Sequence, residues 1–370
     1  MKIIHIIDSL LTGGVNSFVY DLSKAQQENG EDVRIIVVLA EENNADNTPV
    51  PNGIRAEYLN APSKKEAILR YIPQLRQIIK DVSKGEPTVC NLHLKLSVLM
   101  GGLASAGLKN VKCVETYHNS YSHYNLEFFL MRPFIKKYIT VSKTAQLEMY
   151  DRFRAPKNKV VAVPNGIDRK KLREAVKERK IHNYIQVISV GRLAFPKNLF
   201  VPVEALSDQC NENVRYEIIG AGPDMARIDE ARHGNPFIEL RGVLERQNVL
   251  EHLSNADLLI MSSLWEGRSI LQLEAMAFDL PMIISDVPGL REPFNIAPLE
   301  KGEAWRRCAF GYVVQTDNLV AYKEALRDFI NNPSLHLRMR NAVRDVSKSN
   351  DITHMINEYK QVYCDALYTI

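Results

Sequence analysis

Two carboxylates, Glu266 and Glu274, stand in the segment "MSSLWEGRSILQLEAMAFDLPMIIS" (261–285), separated by seven residues in a largely apolar run. Charged groups in such a setting ordinarily have partners. The segment reads as a strand "DLLIMS", a loop "SLWEG" and a helix "SILQLEAMAF". Ser269 with Gln272 three positions on has the spacing of a capping box, which starts the helix at Ser269. Glu266 then lies in the loop, and Glu274 just over one turn inside the helix. The pair is not an acid/base dyad on one helical face. The two would reach different parts of one ligand, while the N–H groups of Arg268, Ser269 and Ile270, next to Gly267, face an anion. The plain alternative makes Glu274 a solvent-face residue and Glu266 a loop charge.

Other strand-to-helix loops carry compatible chemistry. "ISVGRLAFPKNL" (188–199) brings Arg192 and Lys197 to one turn, a plausible diphosphate clamp. A cation at a helix start is disfavoured by the helix dipole, so Lys197 implies an anionic partner, unless it is a solvated surface lysine. "IIGAGPD" (218–224) adds Gly222. "DSLLTGGVNSF" (8–18) sets Gly13 and Gly14 before a helix expected near Asn16, where backbone can approach a ligand closely. The spacing is not G-x-G-x-x-G, so a dinucleotide fingerprint is absent. His118 in "ETYHNSY" follows a strand, and its position alone fits a structural and a functional histidine equally. His123 reads as structural.

These loops need strands to hold them. Apolar runs at 2–7, 33–39, 88–92, 111–116 and 137–142, then at 184–190, 214–219, 237–240, 257–262 and 281–285, alternate with helical patterns. Near-continuous apolar strands between helices imply parallel sheets covered on both faces. In such sheets ligands bind beyond the carboxyl ends of the strands. The fold class is α/β: two doubly wound, Rossmann-like domains facing across a cleft. The hinge is placed near Asn165 and Gly166, giving domains 1–165 and 166–351, with a closing helix 352–370 that joins the first. The interval 41–53 reads as loop.

The motifs "TGGVNSF", "TYHNSY", "VSKTAQ", "VPNGID", "VGRLAFPKN", "IIGAGP", "LRGV" and "ADLLIMSSLWEGRSILQLEAMAFDLPMIISD", in that order along nearly the whole chain, resemble the group 1 family of retaining, nucleotide-sugar-dependent glycosyltransferases with the GT-B fold. The last is similar to that family's E-x7-E signature. The resemblance implies that Arg192 and Lys197 hold the donor diphosphate, Glu266 the sugar hydroxyls and Glu274 the ribose. Gly13 and Gly14 would approach phosphates and acceptor, and His118 would lie near the transferred sugar. Backbone at Gly242 and Val243 would meet the base, and Asn165 of "VPNGID" joins the ligand-binding set. The first domain would take the acceptor and the second the donor. No D-x-D triplet occurs, so no metal site and no cofactor are expected; the cations replace them. Arg268 and Ser269 depart from the family's usual apolar residues after Gly267. Arg268 would contact a charged group on the ligand or cover the cleft. Glu292 is a candidate for an acidic residue often found after this loop.

Composition sets outer bounds. A net charge of +3, with 25% charged residues, argues against a nucleic-acid partner. Residues 1–168 hold 21 Lys and Arg against 17 Asp and Glu, so the first half is the mildly basic one. Five scattered cysteines, without a C-x-x-C pair, fit reduced thiols in a cytoplasmic protein. Residues 64–84 carry six basic and two acidic residues, with Ile68, Ile72, Leu75 and Ile79 at helical spacing. That stripe fits core packing or peripheral contact with an anionic membrane face. The expected partners are a nucleotide sugar and a saccharide or lipid-linked acceptor. Rival readings are a non-hydrolysing sugar-nucleotide epimerase and a non-catalytic GT-B partner subunit.

Overall fold

The computed structural model describes the chain apart from residues 11–12, 41–49, 51, 119–124, 178, 181 and 369–370, and apart from the side chains of 125–127. His123 and most of the 41–53 loop therefore lie outside the described residues. The chain divides into two units, Met1–Gly166 with Ile352–Ile370, and Ile167–Asp351.

The first unit holds strands β1 (Lys2–Ile7), β2 (Asp32–Leu39), β3 (Arg55–Ala61), β4 (Thr88–His93), β5 (Val111–Tyr117), β6 (Ile135–Thr140) and β7 (Val160–Ala162). They form a parallel sheet in the order β3-β2-β1-β4-β5-β6-β7. Isoleucines and valines of β1, β2 and β4 are almost wholly buried, as expected of strands covered by helices on both faces. The helix Ile352–Tyr368 belongs to this unit, with Tyr359 and Tyr363 fully buried in it.

The second unit holds β8 (Ile185–Val190), β9 (Val214–Ile219), β10 (Ile238–Gly242), β11 (Leu258–Met261), β12 (Met282–Ser285), β13 (Trp305–Cys308) and β14 (Gly311–Val314). The order is β10-β9-β8-β11-β12-β14-β13, parallel except for the β13–β14 hairpin. Entering and leaving segments are tied down inside this unit. Ile167 bridges to Asp351, and buried Asp279 accepts ion pairs from Arg169, Arg173 and Arg344 at 2.6–2.8 Å.

Among the parallel strands of each sheet the order reverses once, between β1 and β4 and between β8 and β11. Such a switch point leaves room for a ligand at the carboxyl ends of the strands. Both units are Rossmann-like, and all ten expected strands are present, with β6 beginning and ending two residues earlier than its apolar run. Strands β3, β7, β13 and β14 were not anticipated.

The helical stripe of 64–84 resolves into two helices, Lys64–Arg70 and Ile72–Ser83, the second with Pro73 in its first turn. Leu75 and Ile79 are fully buried in the core, whereas Leu69 is 68% exposed and Ile68 37% exposed. The stripe is thus mainly a packing face. No helix among the described residues is long and apolar enough to cross a membrane. The five cysteines are free thiols.

Candidate active site

In the second unit, the loops after β8 and β11, neighbours at the switch point, are laced together. Leu264 N–H donates to the Pro196 carbonyl at 2.9 Å, and Ser262 Oγ to the Lys197 carbonyl at 2.8 Å. Phe195 and Trp265 meet edge to face at 5.7 Å between centroids. Within this frame the Lys197 ammonium forms an ion pair with Glu266 Oε1, which also accepts from Ser263 Oγ at 2.8 Å. The anion expected next to Lys197 is thus, in the protein by itself, Glu266. Lys197 sits in a single 3₁₀ turn, Phe195–Lys197, ahead of the helix that begins at Phe200. Arg192 is exposed, and its side chain makes no hydrogen bond or ion pair with another described residue.

The β9 loop supports this turn through backbone. Leu193 N–H donates to the Ala221 carbonyl and Asp224 N–H to the Leu193 carbonyl, both at 2.9 Å. A Cβ on Gly222 would stand 2.2 Å from the Leu193 carbonyl oxygen, so only glycine permits this approach. Gly222 therefore seats the Arg192 turn from behind. Val243, beyond β10, is 43% exposed. Exits of β10, β9, β8 and β11 follow one another along the sheet, and they carry Val243, Gly222, Arg192 with Lys197, and Glu266.

Ser269 caps the helix Ile270–Ala277, its Oγ accepting from Gln272 N–H at 3.4 Å. The box is not reciprocal: buried Gln272 sends its Nε2 to the Leu290 carbonyl at 2.8 Å. Glu274 is not a solvent-face residue. It is 6% exposed and receives Arg246 Nε at 3.0 Å and Nη2 at 2.8 Å, both on Oε1. Arg246 opens the helix after β10 and was missed from sequence, although a cation at a helix start, four residues past Gly242, was a usable signal.

Arg268 has partners that the sequence did not show. Its side chain is 6% exposed, lies 3.6 Å from Glu292 and donates to Asn350. Burial holds its pKa below the usual guanidinium range, opposed by the Glu292 carboxylate. In the protein by itself Glu292 is the counter-ion of this guanidinium. Gly267 is buried, its carbonyl and that of Glu266 packed where Gly289 lacks a side chain.

In the first unit the described part of the corresponding exits carries glycines, amides and histidines. Gly13 is extended (φ 172°), and a Cβ there would meet nothing within 4 Å. Neither conformation nor space inside the protein requires glycine at that position. The helix begins at Gly14, two residues before the expected start, and Asn16 Nδ2 donates to the Ser9 carbonyl at 2.8 Å. Asn165 is 3% exposed, with its N–H on the Val141 carbonyl.

His118 is the end of a chain of side chains absent from the sequence reading. Its Nε2 lies 2.9 Å from His93 Nδ1, His93 Nε2 lies 3.0 Å from His5 Nδ1, and His5 Nε2 lies 2.8 Å from Gln26 Oε1. Phe18 presents an edge to His118 at 5.2 Å. Burial lowers the His5 pKa to about 4 and that of His118 to about 3, and moves His93 in the same direction. All three rings are neutral near pH 7. A histidine in the all-aliphatic strand "KIIHII" was the available signal. The next residue after His93, Leu94, has φ 69°, a strained value for a branched side chain of the kind that concentrates at functional sites.

Residues 168–346 match the family model described as glycosyl transferases group 1, and residues 12–171 match glycosyltransferase family 4. The chain is 23% identical over 311 residues to the alpha-monoglucosyldiacylglycerol synthase of Acholeplasma laidlawii, covering 74% of this chain and 77% of that one. It is 20% identical over 344 residues to the UDP-Gal:alpha-D-GlcNAc-diphosphoundecaprenol alpha-1,3-galactosyltransferase of Escherichia coli, covering 85% and 84%. Among solved structures it is similar to Anabaena HepE in complex with UDP and glucose, at a TM-score of 0.78 and 15% identity, over 98% of both chains. The protein is a member of the group 1 glycosyltransferases, with the two Rossmann-like units of the GT-B fold.

Proposed function

We propose that the protein is a retaining glycosyltransferase that moves a hexosyl or N-acetylhexosaminyl group from a UDP- or GDP-sugar to a saccharide or lipid-linked saccharide. The setting would be synthesis of cell-surface glycolipid or polysaccharide. The observation that carries this is the Lys197–Glu266 pair at the β8–β11 switch point, beside exposed Arg192. Cleavage of the anomeric bond leaves negative charge on the departing diphosphate. Cations already in place stabilise it without reorganisation. An arriving diphosphate competes with Glu266 for the Lys197 ammonium, which releases the carboxylate to accept hydrogen bonds from sugar hydroxyls. Glu274, held by Arg246, accepts from the ribose. The leaving diphosphate takes the acceptor proton on the same face of the sugar, so configuration is kept. No divalent metal enters this reading, and transfer is expected to persist in EDTA.

The second unit thus takes the donor and the first the acceptor, through Gly13, Gly14 and Asn165, with His118 beside the transferred sugar. Names of relatives support a lipid-linked acceptor: one is a diacylglycerol glycoside synthase and another acts on a diphosphoundecaprenol. Exposed Leu69, next to Lys64, Lys65 and Arg70, would give peripheral contact with an anionic membrane. The test is a thermal-shift series with UDP-, GDP- and ADP-sugars, followed by NMR of the product's anomeric centre. Donor at a hundred times its Kd should stabilise by about 2.7 kcal/mol. No shift with any of them, or an inverted product, refutes the reading.

A further inference from the structure

We infer that Gln26, His5 and His93 are positioning residues that fix the tautomer of His118, so that it offers a ligand hydroxyl an acceptor at Nδ1. Each proton along the hydrogen-bonded chain has one place to go. A neutral imidazole has one N–H and one lone pair. Gln26, whose amide is also hydrogen-bonded to Tyr363, turns its Oε1 to His5, and that oxygen can only accept. His5 must then donate from Nε2, which leaves Nδ1 as an acceptor. His93, 3.0 Å away, donates to it from Nε2 and accepts at Nδ1. His118 donates from Nε2 to that atom at 2.9 Å, and Nδ1 is left with the lone pair. One amide oxygen therefore decides, three hydrogen bonds away, what the last ring presents.

The fold makes the chain continuous. His5 and His93 lie on β1 and β4, which pair in parallel, and His118 follows β5, the next strand. Phe18 closes over the far end, 5.2 Å from His118 and 6.4 Å from His93. Burial keeps each ring at a single proton near neutral pH, which the assignment requires. A ring whose second nitrogen is fixed by a buried neighbour is held in one orientation and one tautomer. The consequence for transfer rests on the reading that His118 meets the sugar; the tautomer does not.

The test is made on the full chain carrying ¹⁵N-histidine, with His118 assigned by the resonances lost in His118→Gln. At neutral pH, His118 is expected to carry its proton on Nε2, with Nδ1 unprotonated. A proton on Nδ1, on both nitrogens, or an even mixture overturns the proposal. Gln26→Leu, checked by circular dichroism, is expected to turn His118 into a mixture and to lower kcat on the order of tenfold, with donor KM little changed. Retention of the wild-type tautomer in folded Gln26→Leu overturns it. Placed in a His118→Ala background, Gln26→Leu should cost nothing further, whereas a full additional loss shows a structural role and overturns it. If His118→Ala transfers normally while the wild-type ring holds its proton on Nε2, the sugar-contact reading fails and the tautomer assignment stands.

Discussion

The two switch points use opposite electrostatics. At β8–β11 the groups are charged and paired, Lys197 with Glu266, and Glu274 with Arg246 a helix turn further on. At β1–β4 they are neutral rings, joined by hydrogen bonds and driven off protonation by burial. Solvent access, together with pairing where a carboxylate such as Glu274 is buried, explains the difference. Lys197 keeps 30% of its side chain exposed, so its charge is affordable beside a carboxylate, whereas His5 and His93 are fully buried and would be costly to ionise. The same topology can present a charge or a lone pair, according to how deep its strand ends lie.

The largest effects should separate the charged switch point from the neutral one. Lys197→Ala and Glu274→Ala are each expected to lower kcat by about 10²–10³-fold while circular dichroism is unchanged. Near-normal turnover in either would break the contrast. Next come the glycines. Gly222→Ala drives a Cβ into the Leu193 carbonyl and should lower both melting temperature and transfer, by about 1–3 kcal/mol in stability. Gly13→Ala has open space around it and should leave the melting temperature alone while raising acceptor KM. Equal loss of stability in both would show that Gly13 is structural.

Arg246→Ala should destabilise by about 1 kcal/mol, since the arginine is 32% exposed, and should raise donor KM more than it lowers kcat. The neutral switch point should also show itself in the pH dependence of stability. His5, with a pKa near 4 when folded, binds its proton more readily unfolded, near 6.5. Its contribution is full above pH 6.5 and falls as pH drops toward 4, with a slope of at most about 1.4 kcal/mol per pH unit. Glu115, raised to about 7 by burial, acts the other way: its contribution is full below 4.5 and is lost as pH rises through 7. Melting curves at pH 7 and pH 5 should therefore show a smaller acid loss in His5→Leu than in wild type, and a larger one in Glu115→Gln.

Sequence reading found what is local or periodic. Aliphatic runs disclosed the parallel strands, and the N-cap at Ser269 follows from one hydroxyl and one turn of chain. Of the strands it overlooked, β14, "GYVV", carries that signal in only four residues, and the others lack it or are shorter still. β3, "RAEYLNA", is a polar edge strand, β7 has only three residues, and β13, "WRRC", is an antiparallel edge paired to β14. Within the candidate site, residue types were legible but partners were not. His5 meets a histidine 88 positions away, and Arg246 meets Glu274 across 28 positions and a helix boundary. The partners of Arg268 were not legible either, because Glu292 and Asn350 come together only through the fold. Gln272 likewise had the right spacing for a reciprocal cap and a stronger use elsewhere, at the Leu290 carbonyl.

The helix Ile352–Tyr368 has a consequence for biogenesis. Tyr363 receives Asn91 Nδ2 at 2.7 Å and hydrogen-bonds Gln26, while Tyr359 sits beside Thr116. During translation, β1–β7 leave the ribosome about two hundred codons before those phenols exist. Ile167–Asp351 has all its own strands by then and can close first, so the unit synthesised earliest is the last to be completed. A nascent-chain arrest or nonsense codon just upstream of Tyr359 would therefore injure the oldest part of the polypeptide and spare the part beside the break.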